Sequence, residues 1–434
     1  MVRYIGLDVH KAYIRGYEFR PHCSEGKQER HFRFPNTPVG WSQFISGLDP
    51  DVQIALEVTG SAFEIHDILA PHAAQVVVSN PVAMRRLGSG RHTDREDAVR
   101  LAHMLALGTL PRVWVPPHPV REVRRLLEVR ERLGSYRRAL TNQARAVLRR
   151  HGILLPKGPT ALRQVTEAVV CKLPQEEQAI LASVLSAARA LEEQENALTA
   201  HIASRVVEEP AVHLLMTIPG VGMLTAATIW AKLGDPHRFP RPKQVARYAG
   251  LDPSVEQSGE RDRRGRISRN GDRLLRRMLV EAAWAVARHD GGPLGDFYRR
   301  KAKQLGAKRA LVALARKLLI VAWRMLCTGE IYRGIQQGTL RRKEVRLAKL
   351  LQQVPDWEEK LLNLSEGMEN NHGGRRCRAE GARGQLHSKQ LCPAAPALVP
   401  HPPQKLRHRR LQGPLDQLLH PLPNPGMERL PGGD

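Results

Sequence analysis

Cysteine is scarce in this chain. Five residues, Cys23, Cys171, Cys327, Cys377 and Cys392, are scattered over 434 positions, odd in number and without a CxxC pair. That excludes a disulfide framework and a thiolate zinc site, and it suits a reducing, cytoplasmic setting. No run of about 18 apolar residues exists, so no membrane-spanning helix is expected. No signal peptide is read at the start either, because Asp8 and His10 interrupt the only early apolar stretch. Aromatics make up only 5% of the residues, which leaves Leu, Ala and Val to build the core of a helix-rich globular protein. Acidic residues are also in short supply, with 43 Asp and Glu against 68 Lys and Arg, for a net charge of +25. A balance that far from zero predicts a polyanionic partner, most simply nucleic acid, with an anionic membrane surface as the competitor.

What is present falls into segments of different character. "YIGLDV" and "YIRGYEF" can form a hairpin, and "VQIALEV" (52–58) and "AQVVVS" (74–79) read as buried strands. The helical stretch "GSAFEIHDILAPH" between the last two makes a βαβ unit and hence an α/β fold. "REDAVRLAHMLALG" (95–108) is a helix with Thr-Asp before it as N-cap material and Gly108 as its stop. Between about residues 120 and 206 two long amphipathic segments flank a proline-containing loop, as in an antiparallel helical hairpin or coiled coil. The first of them carries ten arginines against three glutamates between Arg121 and Arg150. That is either a solvated face or, with the whole chain so basic, a stripe facing nucleic acid that includes Arg124 and Arg125. After about residue 366 proline and glycine dominate and aromatics and isoleucine vanish. Such a tail cannot bury enough apolar surface to offset its ordering entropy, and disorder is expected there.

Four carboxylates stand at structurally similar places. Asp8 and Glu57 each end an apolar strand, and burying an unpaired carboxylate costs several kcal/mol. Asp94 and Asp97 lie three residues apart at the start of a helix, hence on one face. Each has an ordinary explanation, since a strand-end acid can cap a turn and acids at a helix N-terminus complement its dipole. Taken together they can hold divalent cations that stabilise the attacking and leaving oxygens of a phosphodiester transfer.

Two further motifs point to phosphate. "IPGVG" (218–222) lies between helical stretches, and Gly220 and Gly222 can leave backbone N–H groups free at the next helix start. This reads as a helix-hairpin-helix element that grips DNA backbone without reading sequence, or as a plain turn between two helices. The segment 257–277 sets eight arginines against three acids and contains Arg261, Arg263, Arg264, Arg266, Arg269 and Arg273. A serine in such a loop, Ser258 or Ser268, reads first as a phosphate contact, because a hydroxyl needs activation to act as a nucleophile.

The ordered set "YIGLDVHK", "ALEVTG", "HTDREDAVRLA", "IPGVG", "YAGLDPSVEQSG" and "GRISRNGDRLLRRMLVEAAW" resembles the insertion-sequence DEDD transposases of the 110 type, over roughly residues 3 to 330. The resemblance implies a RuvC-like (RNase H-like) α/β metal-binding domain at 1–115 and a helical coiled-coil segment at 116–207. It implies a mostly α C-terminal transposase domain at 208–350, followed by a tail at 351–434. It makes Asp8, Glu57, Asp94 and Asp97 the acids that hold divalent metal, Mg2+ by expectation. It makes Ser258, in its Gln-Ser-Gly context, the nucleophile that links covalently to DNA, with Ser268 as the second candidate. It further implies DNA at element ends and target, an element-encoded guide RNA, a dimer or tetramer of this chain, and a cytoplasmic, nucleoid-associated bacterial protein. Arg269 stands where a lysine is expected, which keeps the charge, and the tail matches nothing in the family. A RuvC-like junction nuclease without a covalent intermediate and a non-catalytic nucleic-acid-binding protein are the rival readings.

Overall fold

Alternation of side chains decides the first unit. In β1 (Tyr4–Val9) the buried Ile5 and Leu7 face one side, while Tyr4, Gly6 and Asp8 share the other. β2 (Tyr13–Phe19) pairs antiparallel with β1, and β3 (Glu29–Pro35) pairs antiparallel with β2. β4 (Gln53–Glu57) and β5 (Gln75–Ser79) run parallel to β1, giving the order β3-β2-β1-β4-β5. The computed structural model describes residues 2–21, 29–87, 93–156, 158, 161–258 and 261–355. They divide into a unit of Met1–Pro117 and a unit beginning at His118. The proline- and glycine-rich tail expected to be disordered lies outside the described residues.

Helices cover both faces of the mixed sheet. α1 (Pro38–Ser46) and α2 (Ala62–Leu69) bury Trp41, Ile65 and Leu69 against Ile5, Leu7, Ile54 and Leu56. α3 (Pro81–Leu87) and α4 (Asp94–Ala106) cover the opposite face, where Met84, Leu101 and Leu105 meet Ala55 and Val77. The strand β3 and helix α1 are additions to the elements read from sequence. β3 alternates Phe32 and Phe34 with basic residues, and both rings stack on Phe44 of α1. Thr93 caps α4 by accepting from the Glu96 N–H at 3.3 Å. Thr93→Ala is therefore expected to cost about 1 kcal/mol, measured by urea denaturation.

In the second unit, α5 (His118–Arg150) and α7 (Gln175–Val206) form an antiparallel pair, with the short α6 (Glu167–Val170) between them. The direction follows from the contacts Arg130–Thr199, Arg137–Glu195 and Arg150–Glu177. Glu195 is buried and accepts from Arg137 Nε at 2.6 Å, so the charge is compensated where it lies. The helical pairing expected of a coiled coil is thus satisfied within one chain.

The rest is α8 (Pro210–Met216), α9 (Met223–Leu233), α10 (Pro242–Tyr248), a β6–β7 hairpin (Pro253–Ser258 and Arg261–Ile267), and then four helices. These are α11 (Arg273–His289), α12 (Pro293–Leu305), α13 (Ala307–Thr328) and α14 (Gln337–Leu351). The arginine-rich stretch read as a loop is thus largely a two-stranded ribbon. Its strands carry little apolar alternation, so the periodicity that betrays a half-buried strand is missing. No helix among the described residues is long and apolar enough to cross a membrane.

Lys343 of α14 reaches into this helical unit and donates to the carbonyls of Met216 at 2.6 Å and Ile218 at 2.8 Å. Burial pushes its ammonium down to about 8. A lysine with a depressed folded pKa binds fewer protons folded than unfolded, so its contribution to stability grows as pH rises from about 8 to its ordinary value near 10.5. Lys343→Met is expected to remove that slope, read as the difference between wild-type and variant melting temperatures across that window.

Candidate functional site

The four carboxylates come from three elements meeting on the α4 face of the sheet. Asp8 shares its face of β1 with Gly6, and Glu57 occupies the neighbouring end of β4, one residue past the Leu7–Leu56 pair. Asp94 and Asp97 project from the first turn of α4. What brings that helix so close is Gly6. A Cβ at this position would lie 2.0 Å from the Ala98 carbonyl and 2.8 Å from the Ala102 nitrogen.

The tightest group is Asp8, His10 and Asp94, whose ligand atoms lie within 4.8 Å of one another. His10 Nε2 is 2.9 Å from Asp8 Oδ2 and 3.1 Å from Asp94 Oδ2. The Tyr13 hydroxyl donates to Asp94 Oδ2 at 3.1 Å, and Arg33 stacks 3.8 Å above the Tyr13 ring. Glu57 and Asp97 stand outside this group but within Coulombic reach of it. Burial, reinforced by Asp94 and Asp97, raises the Asp8 carboxyl above its ordinary value, against the opposing pull of His10. Burial also raises Glu57, with Asp97 and Asp8 adding to it and Arg85 and Arg100 opposing. Asp97 has Arg100 Nη1 at 3.5 Å.

Clustered carboxylates that hinder one another's ionisation fit a divalent cation, which removes the repulsion and accepts hard oxygen donors. His10 and Tyr13 were not singled out from sequence. Their signal is the "DVHKAY" turn, which carries both rings from Asp8 back towards α4.

The second unit holds the remaining candidates. Ser258 is the last residue of β6 and pairs in register with Arg261; Arg263, Arg264 and Arg266 follow on β7. Ser268 donates to Asp252 Oδ1 at 2.5 Å and accepts from the Asn270 N–H at 3.4 Å, so its hydroxyl is tied into the loop. Arg269 and Arg273 are exposed. The two glycines of the turn before α9 differ. Gly220 has φ +75, and a Cβ there would come 2.6 Å from the Ala282 carbonyl, so this glycine is needed for packing against α11. Gly222 forms the N-cap of α9 and faces open space.

The arginine stripe on α5 is divided. Arg124, expected at nucleic acid, instead donates to the carbonyls of Ala231 at 2.7 Å and Lys232 at 3.2 Å and braces α5 against α9. α5 meets α9 on this side, and the arginine that falls there bonds to the carbonyls at the end of α9. Arg125, next to it, is exposed.

A mixed sheet bearing an Asp-His-Asp cluster that could hold a cation, in a chain of net charge +25, fits the class of metal-using proteins that act on nucleic acid. Comparison with known proteins makes this specific. Residues 5–153 match the DEDD transposase family of the IS110 type, and residues 212–299 match the family described as "Transposase IS116/IS110/IS902 family". The chain is 24% identical to the "Transposase for insertion sequence element IS1328" of Yersinia enterocolitica, over 76% of this chain and 98% of the relative. It is 26% identical to the "Transposase for insertion sequence element IS1111A" of Coxiella burnetii, over 64% and 79% respectively. The Sinorhizobium fredii protein y4rJ, which carries a transposase name, is 30% identical over 64% of this chain and 77% of its own length. The chain belongs to the IS110-type family of insertion-sequence transposases. Membership makes DNA its partner and implies dependence on a divalent metal ion.

Proposed function

We propose that this transposase cuts and rejoins DNA with metal-bound acids in its first unit and a serine nucleophile in its second. The observation that carries the reading is the convergence of Asp8, Glu57, Asp94 and Asp97 on one face of the sheet, where Asp8 and Glu57 ionise reluctantly. The strand order, with three antiparallel strands and two parallel additions, supports an RNase H-like, RuvC-like assignment for this unit. A bound divalent ion, Mg2+ in this reading, supplies Lewis-acid stabilisation to phosphate oxygens. Asp8, Glu57, Asp94 and Asp97 hold it, and His10 and Tyr13 keep Asp94 oriented.

Ser258 attacks a phosphodiester phosphorus through Oγ. Its proton leaves to a base, a phosphoserine ester forms, and the bond to the departing deoxyribose oxygen breaks, with that oxygen taking up a proton. The backbone pairing of Ser258 with Arg261, in a stretch of sequence rich in arginine, supports this, since guanidinium groups stabilise the charge that develops on phosphate. Ser268, bound to Asp252, acts as a brace of the loop. Arg261, Arg263, Arg264, Arg266, Arg269, Arg273 and Arg125 form the nucleic-acid surface, with Gly222 offering backbone N–H groups to phosphate in a helix-hairpin-helix manner. Arg124 is a brace. A guide RNA and self-association into a dimer or tetramer complete the reading, supported by the charge of the chain and its family membership.

The test is to trap the adduct. Wild-type protein with divalent metal and DNA carrying the element ends is expected to give a denaturant-resistant protein–DNA species. That species should vanish with Ser258→Ala and persist with Ser268→Ala. Full-rate strand cleavage by Ser258→Ala would leave only a metal-dependent nuclease.

A further inference from the structure

Beside the loop that follows β7 lies a shallow, open pocket of about 560 Å3 that nothing in the reading above uses. Arg238, Phe239, Arg247, Tyr248, Asn270 and Asp272 line it. Its size falls within the range of small-molecule sites, roughly 300–1,000 Å3. The Arg238 guanidinium lies 4.3 Å from the Phe239 ring centroid and 4.8 Å from that of Tyr248, and the two rings are 5.3 Å apart. Arg238 is held there by its donation to the carbonyls of Leu233 at 2.9 Å and Lys232 at 3.3 Å. The Phe239 ring is buried beneath this cation, so the half-buried Tyr248 ring and the fixed Arg238 guanidinium are the planar groups that form the platform at the opening.

The rim is polar and basic. Arg247 and Asn270 are exposed at the opening, offering a guanidinium and an amide with both donor and acceptor atoms. The acid in the lining does not oppose an anion strongly. Asp272 accepts from the Leu275 N–H at 2.7 Å as the cap of α11 and lies 3.2 Å from the buried Lys232.

The walls are also preformed. Asp272 N–H donates to the Tyr248 carbonyl at 2.9 Å, and Arg276 donates to the Ala249 carbonyl at 3.0 Å. Gly271 lies so close to this turn that a Cβ would meet the Tyr248 carbonyl at 2.4 Å. Arg269 in the same loop has φ +56, the left-handed region, the only residue other than glycine to do so among the described residues. Backbone held in that region costs free energy and persists where surrounding bonds enforce it. A ligand meeting such walls loses little affinity to reorganisation.

We propose that this open pocket receives one unstacked nucleotide of a single-stranded segment, its base against Tyr248 and the Arg238 guanidinium and its phosphate at Arg247. The proposal rests on the nucleic-acid reading given above. Duplex DNA keeps its base faces stacked inside and offers phosphates, sugars and the base edges in its grooves, so it has no base face to lay on this platform. A strand opened for exchange, or an unpaired RNA loop, presents the base face that an aromatic platform takes up without regard to sequence.

The experiment uses the full chain and two photoreactive probes, oligothymidylate carrying 5-iododeoxyuridine and oligouridylate carrying 5-iodouridine, with a blunt DNA duplex as control. Crosslinks are expected at Tyr248. Tyr248→Leu should weaken single-strand binding roughly five- to a hundredfold, the span that loss of one stacking aromatic produces, and leave duplex binding unchanged. Tyr248→Phe should retain wild-type binding. Asn270→Ala and Arg247→Ala change only exposed side chains and should weaken the same probe if Tyr248→Leu fails to fold. A crosslink with the deoxy probe alone assigns the site to a DNA strand, and one with the ribo probe alone assigns it to RNA. Crosslinks confined to other residues, or equal losses for single strand and duplex, overturn the proposal. Failure of the recombinase reading looks different, because wild-type protein would then form no adduct with element-end DNA while still binding these probes.

Discussion

Asp8→Asn is expected to lower DNA strand cleavage by about a thousandfold or more, since the metal-held charge stabilisation it removes is worth several kcal/mol and each 1.36 kcal/mol is a factor of ten. The same substitution should act on stability in the opposite direction. In the metal-free protein Asp8 and Glu57 have raised carboxyl pKa values, so the folded state binds more protons than the unfolded state at moderately acidic pH. For these two groups stability falls as pH rises from the ordinary carboxylate range through the raised folded values. Removing the Asp8 charge relieves part of the repulsion, and the metal-free variant should melt no lower than the metal-free wild type. Divalent metal should raise the wild-type melting temperature at neutral pH and lose that effect as the acids protonate. In Asp8→Asn the metal response should be small at any pH. Thermal melts with and without metal, from neutral to acidic pH, check all three outcomes. A full metal response in the variant would remove Asp8 from the site.

Gly6→Ala is the second large effect, although it deletes no functional group. The added Cβ would sit 2.0 Å from the Ala98 carbonyl, and backbone cannot yield as the tip of a flexible side chain can. Helix α4 must then lift from β1. Overpacking of this kind costs about 1–3 kcal/mol and occasionally more. Because α4 carries Asp94 and Asp97, the shift should also separate them from Asp8 and weaken metal binding. Urea denaturation and metal titration of the same variant read the two consequences. Gly47→Ala is the control, since its added Cβ would have only the Phe44 carbonyl within 4 Å, at an ordinary 3.7 Å. If Gly6→Ala binds metal like wild type, the close approach of helix and strand is not what assembles the site.

Much of the first unit was legible in the sequence because it obeys short-range rules. Short apolar, β-branched runs placed β1, β2, β4 and β5, and a threonine before two acids and a glycine at the end bracketed α4. The acids were legible as candidates because carboxylates ending apolar strands are costly and need a partner. His10 and Tyr13 were passed over, since a histidine and a tyrosine in a turn have many ordinary roles until the turn is seen to fold them towards Asp94. β6 and β7 escaped because arginine-rich strands lack apolar alternation, and the bonds of Arg124 to the Ala231 and Lys232 carbonyls were not foreseen. A run of basic residues does not say which of them the packing will turn inward.

By itself the sequence determined the chemistry available: a strongly basic chain, four carboxylates at strand and helix ends, a glycine turn and serines among arginines. Those follow from composition and from periodicities set within one strand or one helical turn. Only the tertiary structure decided which groups act together. Gly6 lets α4 lie on β1, so residues more than 80 positions apart share one electrostatic environment, as in the 3.1 Å bond from Tyr13 to Asp94. It also decided that Gly220 serves packing and Gly222 faces outward, and that Arg238 is held against two rings. Side-chain proximity depends on how far apart two backbones can approach, and a linear pattern does not contain that distance.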